Sequence, residues 1–187
     1  MTVVDDLWYR ADLAEQEAEQ TYHRFLDDRD DVMEFTRTRY VSRPRFETIT
    51  ERIQDNGLPY GAHMVVSRDD GALLLVRHDA VGKWVLPGGE VGPQETFREA
   101  ARRELAEEAG IGADFDDLAL LGRVQFYCNE YETWGVLPIY EGHATETSLT
   151  VADPDGEITD ADWFSSLPED TRDRDVLVRF RDRELDG

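Results

Sequence analysis

The stretch GGEVGPQETFREAARRELAEEAGI, residues 88–111, sets Glu104, Glu107 and Glu108 close together on one segment. At about 100° of rotation per residue, Phe97, Ala101 and Leu105 form the apolar stripe of a helix, bordered by Ala100 and Ala109. Glu95, Glu99 and Arg102 fall on the opposite side, as solvated residues do. Glu104 and Glu108 instead share the azimuth of the stripe, and Glu107 lies just beside it, so all three point towards the body of the protein. Like charges at such spacing cost about 0.2–0.5 kcal/mol per pair even on an exposed helix, and burying unpaired charge costs more. A cation therefore belongs among them. Arg98 and Arg103 are near enough in sequence to supply it. Three carboxylates at i, i+3 and i+4 also suit a hard divalent ion. Mg2+ and Mn2+ take oxygen ligands and keep waters that a phosphate can displace.

The residues before the helix serve the same chemistry. LPGGEVGPQE is a Gly/Pro-rich loop running into a helix N-terminus. Glycine lets backbone approach a ligand closely, and a helix N-terminus favours phosphate. Loop and helix together resemble the Nudix box, a Gly, five residues, Glu, seven residues, then Arg-Glu-U-x-Glu-Glu-x-Gly-U, where U is a bulky aliphatic. Gly89, Glu95, Arg103, Glu104, Leu105, Glu107, Glu108, Gly110 and Ile111 occupy every fixed position. The resemblance covers roughly residues 58–170 and leaves residues 1–57 unaccounted for.

The resemblance implies an α/β (α+β) fold, an α/β/α sandwich around a mixed sheet, here with an N-terminal helical extension. It implies hydrolysis of a nucleoside diphosphate linked to another group, with Mg2+ (or Mn2+) as cofactor. Metal ligands would be Glu104, Glu107, Glu108 and the Gly88 carbonyl. Glu95 and Arg103 would form an ion pair that holds the loop against the helix. Metal ions would neutralise the diphosphate, orient it and acidify a bound water. That water needs a base within hydrogen-bond reach, for which Glu157 in DPDGEITDADW is the first choice and Glu108 its rival.

Substrate contacts are less determined. Tyr127, Tyr131 and Trp134 are candidate stacking surfaces for a nucleobase, and Arg68, Arg77, His78 and Arg123 candidate phosphate contacts. Pro138 lies too far past Gly110 for the proline of the ADP-ribose branch, while Tyr127 falls near the tyrosine of the dinucleoside polyphosphate branch. Two other readings compete: a nucleotide sensor, against which the intact box argues, and an RNA-processing role using the basic island RTRYVSRPR. Pairing of those arginines with neighbouring acids is the simpler account of the island.

Around this centre the pattern changes at about residue 58, dividing an extension (1–57) from a catalytic domain (58–187). Leu7, Ala11, Ala14, Ala18, Tyr22 and Phe25 recur as an amphipathic helix, and Phe46, Ile49 and Ile53 as a second one ending at DNG. HMVVS and ALLLVRH flank RDDG as a hairpin. LALLGRVQFYC, TWGVLPIYEG and DADWF read as further strands, and RDRDVLVRFRDR as a last helix with Val176, Val178 and Phe180 mixed among charges. The small alanines of the first helix suggest burial against another surface, and a homodimer is one such arrangement.

Composition bounds the rest. The chain of 187 residues carries 42 Asp+Glu against 20 Lys+Arg, a formal charge of −22, and Lys83 is its one lysine. Such a surface argues against duplex nucleic acid or an anionic membrane as main partner; the small-nucleotide partner is what the Nudix resemblance implies. The surface also suggests a high-salt cytoplasm, where a Debye length of about 3 Å at 1 M screens self-repulsion. Cys128 stands alone, which excludes an internal disulfide. No apolar run reaches membrane-span length, and MTVVDDLWYR lacks the pattern of a signal peptide.

Overall fold

The computed structural model describes residues 5–186. The chain divides into two compact units, Met1–Gly61 with Ala119–Pro138, and Ala62–Leu118 with Ile139–Gly187. Mixed strand pairing with accompanying helices runs through both, as the resemblance implies.

The first unit begins with α1 (Leu7–Leu26), β1 (Met33–Tyr40) and α2 (Arg43–Asn56). Leu7, Ala11, Ala14, Ala18, Thr21 and Phe25 are the buried face of α1. Thr21 takes the place expected for Tyr22, which sits at the margin with its ring edge-on to Trp134, 5.9 Å between centroids. Phe46, Ile49, Thr50 and Ile53 bury α2. That helix stops at Gly57 in the left-handed conformation (φ +85°), where any Cβ would come within 2.5 Å of Thr21 Oγ1.

The N-terminal segment is not purely helical. β1 pairs in parallel with β6 (Ala113–Cys128), from Met33↔Leu120 to Tyr40↔Tyr127. Its sequence MEFTRTRY alternates, with Phe35 buried and the arginines half-buried on the same face. Arg37 lies 5.8 Å above the Phe35 ring. The basic island is thus split between a strand and the start of α2, where Arg43 pairs with Asp5 (2.9 Å) and Glu47 (3.0 Å).

The alanine stripe of α1 is covered within this unit. The Ala11 carbonyl accepts from Thr133 Oγ1 at 3.1 Å, on β7 (Tyr131–Ala144), and the Gly57 carbonyl from the Val136 amide at 2.8 Å. The stripe therefore gives no reason for a homodimer. Deleting residues 1–57 removes the parallel partner of β6 and uncovers Trp134. The truncated protein is expected to aggregate in size-exclusion chromatography with light scattering; a monodisperse product with the parent's Tm would show that the segment is an appendage.

In the second unit β2 (Ala62–Ser67) and β3 (Leu73–His78) form the expected hairpin. β7 pairs with β2 in parallel, from His63↔Ile139 to Ser67↔His143. β4 (Lys83–Val85) and β8 (Ile158–Phe164) both lie antiparallel to β3. Leu73, Leu74, Leu75 and Val76 are consequently all buried, which accounts for an apolar run without alternation. β5 (Gly88–Gly89) adds to β2, and α3 (Phe97–Ala109) packs on both. In α4 (Arg174–Asp186) Val176, Leu177 and Phe180 are buried.

The −22 charge carries a further expectation. Folding weakened by self-repulsion recovers as salt screens it, so Tm rises from low to molar KCl. A flat or falling Tm would remove the high-salt reading and leave the fold untouched.

Candidate active site

Local sequence fixes the helix that carries the glutamates. Thr96 is the N-cap of α3, accepting from the Glu99 amide at 3.2 Å, while Glu99 accepts from the Thr96 amide at 2.8 Å. This reciprocal pair satisfies two donors that the helix start leaves open. Gly110 ends the helix in the left-handed conformation. Between the caps Ala100, Ala101, Leu105 and Ala109 are buried, and Glu108 is buried with them at 6% exposure. Glu104 and Glu107 are partly covered. The inward direction of Glu104, Glu107 and Glu108 agrees with the helix rotation, but Glu95 precedes the helix and is not solvated, its side chain being 17% exposed.

Strand β5 lies against two of these glutamates. The Gly88 amide donates to Glu108 Oε2 at 2.9 Å. A Cβ on Gly89 would stand 2.6 Å from Glu104 Oε1, and one on Gly88 2.5 Å from the Ala62 carbonyl oxygen. Only glycine allows strand and helix to approach so closely.

Arg103 organises the remaining carboxylates. Its Nε and Nη2 donate to the two oxygens of Glu95 at 2.9 and 3.1 Å, a forked pair. Nη2 also donates to the Glu90 carbonyl at 2.9 Å, and the Gly92 amide donates to Glu95 at 2.8 Å. The loop is thereby tied to the helix. Nη1 reaches Glu104 (2.9 Å) and Glu107 (3.2 Å), so this guanidinium is the cation that Glu104 and Glu107 share.

Glu108 is different. No basic side chain among the described residues pairs with it, and its carboxyl is pushed up to about 8. Burial is the main cause, opposed by the Gly88 amide and reinforced by the charges of Glu104, Asp153 and Glu157. Glu104 is also raised, first by burial, with Arg103 opposing and Glu107 and Asp153 adding. Glu95 is lowered, chiefly by Arg103. An all-oxygen donor set with a buried carboxylate lacking a counter-charge fits a hard divalent cation. Among the described residues, no three His, Cys, Asp or Glu side chains converge as a ready ligand cage, because Glu104 and Glu107 are turned to Arg103.

Asp153, which the sequence reading passed over, belongs here. Its carboxylate accepts from the amides of Asp155 (3.2 Å), Glu157 (2.7 Å) and Ile158 (2.9 Å). The signal was the DPDGE run, since an aspartate that folds the following backbone onto itself is a turn device. Glu157 follows directly, 3.6 Å from His78 Nε2. Arg68 is held by both oxygens of Asp70 at 2.8 Å and lies 5.4 Å over Trp163. Arg77 pairs with Asp170 and donates to the Gly82 carbonyl at 3.0 Å.

The other four candidate contacts belong to the first unit and to its packing. Trp134 is 6% exposed, with Arg123 centred 3.8 Å over its ring. Arg123 also pairs with Glu19 at 3.2 Å. A ring so covered offers no open face to a nucleobase, which corrects the stacking role expected for Trp134. Tyr127 is stacked on Tyr40, 5.6 Å between centroids, and donates to Gln125. Tyr131 donates to Asp5 and lies beneath Arg43.

The family model described as NUDIX domain matches residues 57–179. The chain belongs to the Nudix family. The Nudix assignment is echoed by a putative nudix hydrolase 1 of Caenorhabditis elegans, 32% identical over 144 residues, 70% of this chain and 34% of that protein. A putative 8-oxo-dGTP diphosphatase of Bacillus subtilis (strain 168) is 45% identical over 53 residues, 28% of this chain and 36% of that one. The chain spans about a third of the length of these curated relatives. A NUDIX hydrolase structure from Nitrosomonas europaea shares the fold, with TM-score 0.51 and 24% identity over 66% of this chain and 86% of that one. No described helix is long and apolar enough to cross a membrane.

Proposed function

We propose that this Nudix protein is a divalent-metal-dependent pyrophosphohydrolase. It cleaves the diphosphate of a nucleoside diphosphate linked to another group, such as a nucleoside triphosphate or ADP-ribose. The observation that carries the reading is Glu108, a buried carboxylate with no basic partner among the described residues, beside Glu104 and the Gly88–Gly89 backbone. Glu104, Glu107, Glu108 and the Gly88 carbonyl hold Mg2+ (or Mn2+). When bound, the metal supplies charge neutralisation at the diphosphate and acidifies a water.

The chain's own residues do the rest. Arg103 keeps Glu95 and the loop in place, and Glu104 and Glu107, here paired with its Nη1, would hold the metal when it is bound. Glu157 accepts the proton of the attacking water. What supports this is that the Glu157 charge is among the causes that raise Glu108. Arg68 and Arg77 are candidate phosphate contacts in the same unit as the glutamates, each needing to exchange an aspartate partner for substrate. The protein works in the cytoplasm on small nucleotides. The names of its relatives, an 8-oxo-dGTP diphosphatase among them, favour a nucleoside triphosphate or a diphosphate derivative.

A panel of nucleoside triphosphates, ADP-ribose and dinucleoside polyphosphates, with Mg2+ or Mn2+ in high salt, tests this by product mass. A nucleoside monophosphate is the expected product, lost on chelation. Failure to cleave every member would overturn the reading.

A further inference from the structure

We infer that His78 is a positioning residue that holds the Glu157 carboxylate in place through its Nε2–H. The inference rests on the reading of Glu157 as the base. It replaces the expectation that His78 meets a phosphate.

The backbone on both sides of the Glu157 side chain is clamped. Its amide donates to Asp153 at 2.7 Å, and its carbonyl accepts from the Asp79 amide at 2.9 Å. Its side chain is 63% exposed, so the clamps set where it starts but not where it points. The group facing it is the His78 imidazole, with Nε2 3.6 Å from Oε2. His78 closes β3, with Ile158 opposite it on β8 and Lys83 opposite it on β4. The ring is anchored by sheet pairing on both sides, while Glu157 is anchored by a turn.

The other ring nitrogen fixes what His78 can offer. Nδ1 is buried and has no hydrogen-bond partner. A hydrogen placed there would be a buried N–H with no acceptor, which costs more than a bare lone pair. Of the two neutral tautomers the one with its hydrogen on Nε2, facing Glu157, is therefore favoured. At 3.6 Å, longer than a formed hydrogen bond, that N–H attracts the carboxylate without taking its acceptor role away. It restrains the direction of Glu157 and leaves that carboxylate able to receive a proton from water.

Two measurements test this, and the first needs no turnover. In long-range 1H–15N spectra the resonance removed by His78→Gln is expected to show the neutral Nε2–H tautomer, and its Nε2 signal to move in Glu157→Gln. An Nδ1–H tautomer, or an Nε2 signal indifferent to Glu157→Gln, overturns the inference whether or not the hydrolase reading stands. In the second, His78→Ala lowers kcat about tenfold, a fraction of what a general base contributes, with KM within about twofold. His78→Gln, whose amide N–H reaches towards the same carboxylate, restores most of the loss. A raised KM with unchanged kcat would make His78 a substrate contact and overturn the inference, as would failure of glutamine to rescue.

Discussion

Glu108→Gln and Glu107→Gln are each expected to lower kcat by about two to three orders of magnitude in saturating Mg2+, with the fold intact. Glutamine keeps the shape of the side chain and an oxygen for the Gly88 amide, which now donates to Glu108 at 2.9 Å. What it loses is the negative charge that would hold a divalent ion. Preorganised charge at a phosphoryl site is commonly worth this much. Glu95→Gln should be milder, about tenfold. Its partners are Arg103 and the Gly92 amide, so it supports the loop rather than the diphosphate. Circular dichroism and Tm establish folding, and steady-state kinetics against metal concentration give the effect. Full activity of either box variant, or of the parent protein in chelator, would refute metal-dependent catalysis at this cluster.

The contrast between legible and hidden parts of this site is one of range. The direction of Glu104, Glu107 and Glu108 follows from helix rotation alone and could be read locally. The pairing of Glu95 with Arg103 came from the resemblance, since rotation put Glu95 on the solvated side. β1 could not be read locally, because its partner β6 lies far along the chain and its half-buried face carries arginines rather than aliphatics. Trp134 was misread for the same reason. It stands beside an acidic turn in sequence, but what covers it arrives from elsewhere, Tyr22 from α1 and Arg123, itself fixed by Glu19. Arg103 carries a subtler lesson. The sequence offered arginine and metal as rival cations for one cluster. The structure gives Arg103 to Glu95, Glu104 and Glu107, and leaves Glu108 without a basic partner.

That division of charge predicts a pH dependence that metal should erase. A glutamate carboxyl ordinarily titrates near 4.5, and Glu108 in the fold is raised to about 8. Below about 4.5 folded and unfolded chains both hold this proton. Between 4.5 and 8 the unfolded chain releases it and the folded one keeps it, so stability falls as pH rises through that window. Above 8 both are ionised and the slope ends. At about 1.4 kcal/mol per pH unit, the metal-free protein loses on the order of 5 kcal/mol across the window. Glu104, also raised, acts in the same direction. Glu95 is lowered and contributes stability lost only as pH falls below the ordinary carboxylate range. A divalent ion bound to ionised Glu108 favours the folded state by mass action and reverses the penalty. Thermal melts in chelator should therefore show Tm falling from pH 5 to 8.5, and saturating Mg2+ or Mn2+ should flatten that fall. Glu108→Gln should keep only the shallower fall that Glu104 contributes. A chelated parent protein as stable at pH 8 as at pH 5 would mean that Glu108 is already neutralised by the protein, and the metal would have no vacancy of charge to fill.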